Sequence, residues 1–245
     1  MEYDIAEILE VRDTPTFLRI MQAEFEDKVG QERFFRITGT PSSLGTLSAD
    51  LEDERLSHLL ENPPNPHQRW EGWDVRPLPP FRRNALGFQN DSYNFHHVKF
   101  IKNGHLEFWT AIDAFFCWQQ NEREMAVHPR LYPYAVVEHP VSFARLYRAL
   151  MELLGITGAV VFQMQFVNVR GAILLPYRPE SIGFMHPVET VRPLERDRLV
   201  FESKTVGWDF DPDPTALAII SRLYDAFGYG RRHIPFFDEA GQCEL

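Results

Sequence analysis

The sequence predicts an α+β fold in which an antiparallel sheet of hairpins packs against two or three helices. Three features support this prediction. Aromatic and β-branched residues flank an Asn-Gly pair at 103–104, a run with period two lies at 162–167, and an apolar helical stripe lies at 214–227. The strand patterns are typical of a sheet with a buried face, and the stripe is typical of a helix lying on such a sheet.

The first hairpin is predicted over residues 93–109, with Asn103 and Gly104 forming a two-residue turn. Asn-Gly is favoured in a type I′ turn because both central residues adopt positive φ there, and the twist of this turn matches that of the strands. This register pairs Phe100 with Glu107. The hairpin therefore determines part of the topology but indicates no chemistry.

Other strands are predicted from short apolar runs. They lie at residues 33–38, 134–138, 162–167 and 199–202. In the run at 162–167, Phe162, Met164 and Phe166 share one face while Gln163 and Gln165 share the other. Residues 168–171 are then predicted to turn the chain into residues 172–175, which would complete a second hairpin over 160–175.

Start and stop signals predict the helices. Thr14-Pro15 begins the first helix and Gly30 ends it, and an acidic segment at 48–60 is predicted to be helical. An amphipathic helix at 141–154 is stopped by Gly155. The last helix is predicted to be capped by Asp213, to begin at Pro214 and to end at Gly228.

Composition divides the chain into three parts. Residues 1–61 form an acidic, mainly helical segment, residues 62–92 a proline-rich irregular segment, and residues 93–245 the α+β core domain. The first part holds 14 acidic residues against 6 basic ones, which is −8 of the net charge of −10. This balance disfavours non-specific nucleic-acid binding through the N-terminal part. It is compatible with a solvated helical face or with a docking surface for a basic partner.

The sequence predicts a soluble, cytoplasmic protein. Its two cysteines, Cys117 and Cys243, lie far apart and belong to no CxxC pair, and residues 1–10 lack the apolar run of a secretory signal. No apolar stretch approaches the roughly 20 residues needed to cross a bilayer. No membrane association is therefore expected.

The motifs of common enzyme classes are missing from the sequence. None of the four lysines follows a glycine, which excludes a Walker A loop, and there is no GxSxG, dinucleotide-binding, HExxH or CxxC motif. A metal site remains an alternative, because His105 and Glu107 would share one strand face and Asp91 or His128 would have to add a third ligand. The sequence accordingly predicts no catalytic residue, no metal ligand and no cofactor.

The first candidate for a binding site is the stretch RWEGWDVRPLPPFRR. It alternates arginines and aromatic residues, including Arg69, Trp70, Trp73, Arg82 and Arg83. Arginine and aromatic side chains together hold single-stranded nucleic acid through phosphate contacts and base stacking. The alternative is that both tryptophans pack on the sheet while the arginines pair with neighbouring acids.

The second candidate lies at the end of the predicted second hairpin. Asn168, Arg170, Tyr177 and Arg178 are polar residues close to a turn and to Pro176. Such groups could converge on a small anion. They could equally satisfy backbone carbonyls and form ordinary ion pairs.

The order of several short motifs resembles a known family. GWDVRP is followed by FIKNGHLEFW, YAVVEHPVSFARLYRAL, NVRG, DFDP and IPFFD. This order resembles the C-terminal region of bacterial Schlafen-AlbA-type DNA-binding proteins over about residues 69–238, without the AlbA-type domain itself. The resemblance implies an accessory part of such a protein, and it transfers no DNA-binding or ATP-binding role to any residue of this chain.

The first functional hypothesis is a non-catalytic interaction or regulatory module. The resemblance implies that it belongs to a bacterial nucleic-acid-associated or defence system. The alternatives are a ligand-sensing domain that binds a small anion or nucleotide, and a metal-dependent phosphodiesterase or nuclease. A protein partner or self-association is expected, whereas nucleic-acid binding stays open.

Overall fold

The computed structural model describes Ile8 and residues 10–44, 48–64, 81–92, 96–117, 120–175, 192–202 and 205–245. The helices are α1 (Thr14–Val29), α2 (Glu54–Glu61), α3 (Ile112–Phe115), α4 (Glu122–Val127), α5 (Pro133–Leu154) and α6 (Pro212–Ala226), followed by a short 3₁₀ turn at Arg231–His233. The strands are β1 (Phe34–Pro41), β2 (Arg82–Arg83), β3 (Gly87–Ser92), β4 (His96–Ile101), β5 (Leu106–Ala111), β6 (Arg130–Leu131), β7 (Val160–Val167), β8 (Ile173–Leu174) and β9 (Arg198–Glu202).

Seven strands form one antiparallel sheet in the order β2-β3-β4-β5-β1-β7-β9. The strands β6 and β8 pair separately and in parallel. The predicted α+β class is therefore confirmed. No described helix combines the length and the apolar character that a membrane span requires.

One face of the sheet is apolar and packs against α5 and α6. Phe35 of β1 contacts Phe166 of β7 and His139 of α5, with ring centroids 5.1 and 6.0 Å apart. Tyr147 of α5 packs edge-on against Phe162 at 5.3 Å. The phenylalanine and tyrosine side chains among them belong to the largest buried cluster of the described residues, which makes this layer the main core.

The opposite face carries many polar side chains and is covered in part by α1. The helix begins after Asp13, whose side chain accepts a hydrogen bond from the Thr16 N–H, and Gly30 ends it as predicted. Its apolar stripe faces the sheet, where Phe17 lies edge-on to His105 and Phe25 edge-on to Trp109. The chain thus places a second, smaller apolar layer over a polar sheet face.

The segment 1–61 contributes β1, which lies between β5 and β7 in the middle of the sheet. Residues within 62–92 form β2 and β3 at one edge of the same sheet. The predicted helix at 48–60 is shorter than expected, because Asp53 caps α2 at its start by accepting a hydrogen bond from the Arg55 N–H. The three sequence parts therefore share one sheet.

The prediction of a buried strand at 134–138 is wrong, since these residues lie in α5. Pro133 occupies the first turn of the helix, where its missing N–H costs nothing, and Gly155 ends the helix with a left-handed φ of 64° as predicted. Residues 135–144 are buried on every side of the helix. An apolar run of this kind shows no helical periodicity, and the sequence pattern therefore indicates a strand.

The predicted second hairpin is also wrong. The strand β7 already has β1 and β9 on its two sides, so residues 172–175 have no free edge to join. Instead β8 pairs with β6. Asn168, with φ of 58°, and Gly171, with φ of 81°, turn the chain away from the sheet. Local turn residues indicated the turn but not the partner of the next strand.

The first hairpin is confirmed, but its register differs from the prediction by one residue. Phe100 pairs with Leu106 and Lys99 with Glu107, and the Ile101 N–H donates to the His105 carbonyl at 2.8 Å, which leaves a loop of three residues. Within the loop only Gly104 has positive φ, at 87°, and its N–H donates to the Ile101 carbonyl at 2.8 Å. This geometry is that of a type I turn with a glycine bulge, which Asn-Gly sequences also fit.

The last helix begins two residues earlier than predicted, at Pro212 with Asp211 at the N-cap position. Asp213, the predicted cap, is instead buried and accepts hydrogen bonds from Arg145 of α5 at 2.7 and 2.5 Å. The side chain that the local pattern predicted as a helix cap therefore forms a long-range ion pair instead.

Candidate functional site

The polar face of the sheet gathers charged and amide side chains under α1. The register places Arg36 opposite Gln165 on β7, and Thr38 opposite both Gln163 on β7 and Glu107 on β5. Because alternate residues of each strand share a face, these five side chains point to the α1 side. Arg36, Thr38, Glu107 and Gln165 are buried.

An ion pair lies at the centre of this face. Arg36 donates from Nε to Glu107 Oε2 at 2.8 Å, and its Nη2 contacts the same oxygen. Burial opposes ionisation of Glu107, but the Arg36 guanidinium, with His97 nearby, outweighs it and lowers the pKa of Glu107 to about 2. Beside this pair, Lys99 donates to both carboxylate oxygens of Glu24 on α1 at 2.8 Å.

Gln22 of α1 connects the buried ion pair to the surface. Its Oε1 accepts from Arg36 Nη1 at 2.7 Å and from Gln165 Nε2 at 2.8 Å. Its Nε2 donates to Glu26 Oε1 at 2.8 Å, and Arg198 of β9 donates to the same oxygen at 2.5 Å. The hydrogen bond from Gln22, with that from Arg198, lowers the pKa of Glu26. One chain of hydrogen bonds therefore runs from the interior to the surface.

An open groove of about 560 Å³ lies at the outer end of this chain, between α1 and the polar face of β7 and β9. We call it the α1–β9 groove. Its lining combines hydroxyl, amide, guanidinium and aliphatic groups from Thr14, Pro15, Leu18, Arg19, Gln22, Ser42, Val161, Gln163, Gln165, Arg198 and Val200. A mixed lining of this kind is typical of sites for small organic ligands.

Gln165 lines the groove although its side chain is buried. Its Nε2 donates to Gln22, whereas its Oε1 has no hydrogen-bond partner among the described residues. The Oγ1 of Thr38 on the same sheet face is likewise buried without a partner in that part of the chain. Buried polar atoms in proteins are rarely left unpaired, so such an acceptor calls for a donor from a ligand or a water.

The described lining of the groove contains no histidine, cysteine, aspartate or glutamate, the side chains that most often act in acid–base catalysis. His105 lies behind it, fully buried, with its Nδ1 at 2.8 Å from Thr40 Oγ1, and burial lowers its pKa to about 3. Cys117 is buried elsewhere, and burial raises the pKa of its thiol. The lining residues supply only amides, hydroxyls, guanidinium groups and aliphatic carbons.

The described side chains do not assemble the metal site considered from the sequence, and the side chain of Asp91 lies outside those described. Glu107 is paired with Arg36, and His105 with Thr40. His128 lies near the end of α4, where its Nδ1 is 3.0 Å from the Gly171 carbonyl oxygen. Among the residues that the structure describes, no three histidine, cysteine, aspartate or glutamate side chains could hold a metal ion together.

The first candidate set from the sequence lies at one sheet edge. Arg82 and Arg83 form the exposed strand β2, and Arg83 pairs with Glu52 at 2.5 Å. Arg69, Trp70 and Trp73 lie outside the described residues. Five strand spacings of about 4.8 Å separate β2 from β7, so roughly 24 Å lies between this set and the second one.

The second candidate set lies at the far end of β7. Asn168 donates from Nδ2 to the carbonyls of Gly30 and Glu32, at 3.2 and 2.6 Å, which fixes the chain after α1 against the end of β7. Arg170 is exposed. Tyr177 and Arg178 lie outside the described residues. Asn168 therefore has a structural contact, and none of the described members of the two candidate sets lines the groove.

Sequence reasoning missed most of the groove. The alternation in β7 placed Gln163 and Gln165 on one face, and this was the sequence pattern that pointed to part of the groove lining. No binding motif in the sequence includes Leu18, Arg19 or Gln22. They reach the groove only because α1 packs across β1 and leaves β7 and β9 partly uncovered.

Comparison of the chain with protein-family models, with curated proteins and with solved structures returned no match.

Proposed function

We propose that this protein is a non-catalytic binding module that holds a small ligand in the α1–β9 groove. The observation that carries the proposal is the buried Gln165 in the lining of an open groove, with an amide oxygen that lacks a hydrogen-bond donor among the described residues. This oxygen is itself buried, so a ligand donor would have to displace the side chains around it, and the hydrogen bond would then satisfy a group whose desolvation otherwise costs about 1–3 kcal/mol.

The lining indicates the chemical class of the ligand. Leu18, Val161 and Val200 offer aliphatic contacts, and Arg19 and Arg198 offer cationic donors. Arg198 is already paired with Glu26, which leaves the exposed Arg19 as the main attraction for an anion. A small, partly apolar organic acid with a hydrogen-bond donor matches this combination.

The resemblance to Schlafen-AlbA-type proteins adds a cellular setting to the proposal. On that basis the module serves as an accessory or regulatory part of a bacterial nucleic-acid-associated or defence system, and the bound ligand is its signal. We also propose a reduced cytoplasmic location, which agrees with Cys117 and Cys243 being free thiols.

A thermal-shift screen followed by calorimetric titration tests the proposal. The probes are aliphatic and aromatic carboxylic acids and phosphate monoesters, each in a series with and without an N–H or O–H donor. A ligand present at 100 times its Kd adds about 2.7 kcal/mol to the free energy of unfolding. For a chain of this size that corresponds to a rise in Tm of roughly 5–10 °C.

Two groove variants and one control locate the binding site. Arg19→Glu reverses the exposed charge, and Gln165→Leu removes the unpaired acceptor; both should abolish the shift seen with the best probe. Arg170→Glu makes the same charge change on an exposed arginine outside the groove and should leave the shift intact. The proposal fails if no probe binds saturably, or if binding is unaffected by both groove variants.

A further inference from the structure

The strand β9 is an edge of the seven-stranded sheet, with β7 as its only neighbour among the described strands. Val160 and Val206 exchange backbone hydrogen bonds of 2.9 and 3.0 Å on this side of β7, so even-numbered residues of β7 bond toward β9. Leu199 and Phe201 lie opposite even-numbered residues of β7. The backbone groups of Arg198, Val200 and Glu202 therefore face outward.

The two edges of the sheet differ in how well they are protected against pairing with another chain. The strand β2 at the other edge has only two residues, both arginines, and short charged edge strands resist pairing with other chains. The strand β9 has five residues and contains neither lysine nor proline. Val200, at its centre, exposes 46% of its surface. An exposed edge with an apolar centre is a template for another strand.

The sequence of β9, RLVFE, indicates which strand fits. In an antiparallel pair centred on Val200, Arg198 lies opposite Glu202 of a second copy, and Leu199 lies opposite Phe201 of that copy. Opposite charges and apolar pairs at directly opposed positions are the favourable cross-strand combinations. The outward-facing residues 198, 200 and 202 would all fall into hydrogen-bonded pairs in this register.

We propose that β9 pairs with β9 of a second copy of this chain, joining the two sheets edge to edge about a two-fold axis at Val200. The axis is perpendicular to the sheet, so the α1–β9 grooves of both copies lie on the same side of the joined sheet, next to each other. The pairing rests on the strand edge and does not depend on a ligand in the groove.

The contact area is small, because only five residues of each chain pair. Interfaces well under about 1,000 Å² belong to weak and transient complexes. The dimer is therefore a concentration-dependent one, and sedimentation equilibrium up to about 0.5 mM protein covers the range in which such complexes form.

A charge swap within β9 tests the register. Arg198→Glu or Glu202→Arg alone places like charges opposite each other at two symmetry-related positions, which should raise the dimer Kd about tenfold or more. The double variant Arg198→Glu/Glu202→Arg restores opposite charges and should return the Kd to within about threefold of the wild type. Circular dichroism of each variant checks that it is folded.

Arg19→Glu separates this proposal from the groove's ligand. It removes the main cationic group for the ligand but lies on α1 and not on β9, so ligand binding should be lost while the wild-type dimer Kd is kept. A wild-type protein that stays monomeric over the whole concentration range would overturn the pairing. So would a double variant that dimerises as weakly as the single ones.

Cross-linking gives an independent test with a matched control. In a Cys243→Ser background, Val200→Cys places two thiols next to the two-fold axis, and a short bis-thiol reagent should link them. Val127→Cys is the control, because Val127 is also strongly exposed, at 65%, and lies at the end of α4. Equal cross-linking of the two variants, or none at position 200, would contradict the proposed contact.

Discussion

Arg36 of β1 donates two hydrogen bonds to Glu107 of the neighbouring strand β5, and the two residues are 1% and 3% exposed. A guanidinium and a carboxylate at the centre of a sheet are stable there only as a pair. The pair also receives support from α1, because Arg36 donates to Gln22 and to the Met21 carbonyl. The polar face of the sheet is thus held to its covering helix by charge as well as by apolar packing.

Removing one partner of this pair should destabilise the protein strongly. Arg36→Met leaves Glu107 buried without its cation, and we expect the free energy of unfolding to fall by about 3–5 kcal/mol. Chemical denaturation monitored by circular dichroism measures the change. The double variant Arg36→Met/Glu107→Leu removes both charges and should recover much of the loss. A single variant within about 1 kcal/mol of the wild type would show that the pair contributes little.

The buried His105 should make stability depend on pH. Burial lowers its pKa from 6.5 to about 3, so between these values the unfolded chain binds a proton that the folded protein does not. The contribution of this group to stability is complete above pH 6.5 and decreases as the pH falls, by at most about 1.4 kcal/mol per pH unit. Below pH 4.5, Glu107 adds a second loss, because its folded pKa lies below its ordinary value.

Denaturation of a His105→Gln variant between pH 4.5 and 6.5 checks this dependence. Glutamine keeps polar groups near Thr40 but does not titrate, so the slope of stability against pH should become smaller. His58→Gln, at an exposed position of α2, is the control and should keep the wild-type slope. An unchanged slope in the His105 variant would mean that this residue is not the titrating group.

The loop of the first hairpin depends on Gly104. Its φ of 87° is strained for any residue with a Cβ, so Gly104→Val should cost on the order of 1–3 kcal/mol. Gly158→Val is the control, because that glycine lacks positive φ and a Cβ there would meet no atom within 4 Å. Thermal melting of both variants is the measurement. An equal Tm for the two would contradict the assigned turn.

Asn168 and Arg170, both candidates from the sequence, should respond differently to substitution. Asn168→Gly accommodates the positive φ but removes the hydrogen bonds to the Gly30 and Glu32 carbonyls, and we expect a loss of about 1–2 kcal/mol. Arg170→Ala changes an exposed side chain and should stay within about 0.5 kcal/mol of the wild type. Denaturant unfolding distinguishes a structural role from a neutral one. A neutral Asn168→Gly would remove the structural role assigned here.

Local sequence identified the elements whose signals lie within a few residues. The Asn103-Gly104 hairpin, the period-two strand β7 and the stops of α1 and α5 at Gly30 and Gly155 follow from turn chemistry and side-chain alternation, which act over short distances. The α+β class could be predicted because these elements occur in sufficient number. The residues at 134–138 show the limit, since burial on all sides removes the periodicity that separates helix from strand.

Pairing between distant segments was decided only by the tertiary structure. Three features join residues far apart in sequence. The strand β1 lies at the centre of the sheet, β8 pairs in parallel with β6, and Asp213 binds Arg145 instead of capping the last helix. The α1–β9 groove has the same origin, because it exists only where α1 leaves part of the polar sheet face uncovered. The sequence by itself determined many of the strands and helices, through backbone preference and the pattern of apolar side chains, but not those buried on every side, such as residues 134–138. Packing of the whole chain decided which strands are neighbours and where the sheet stays open, since those choices depend on burying all apolar faces at once.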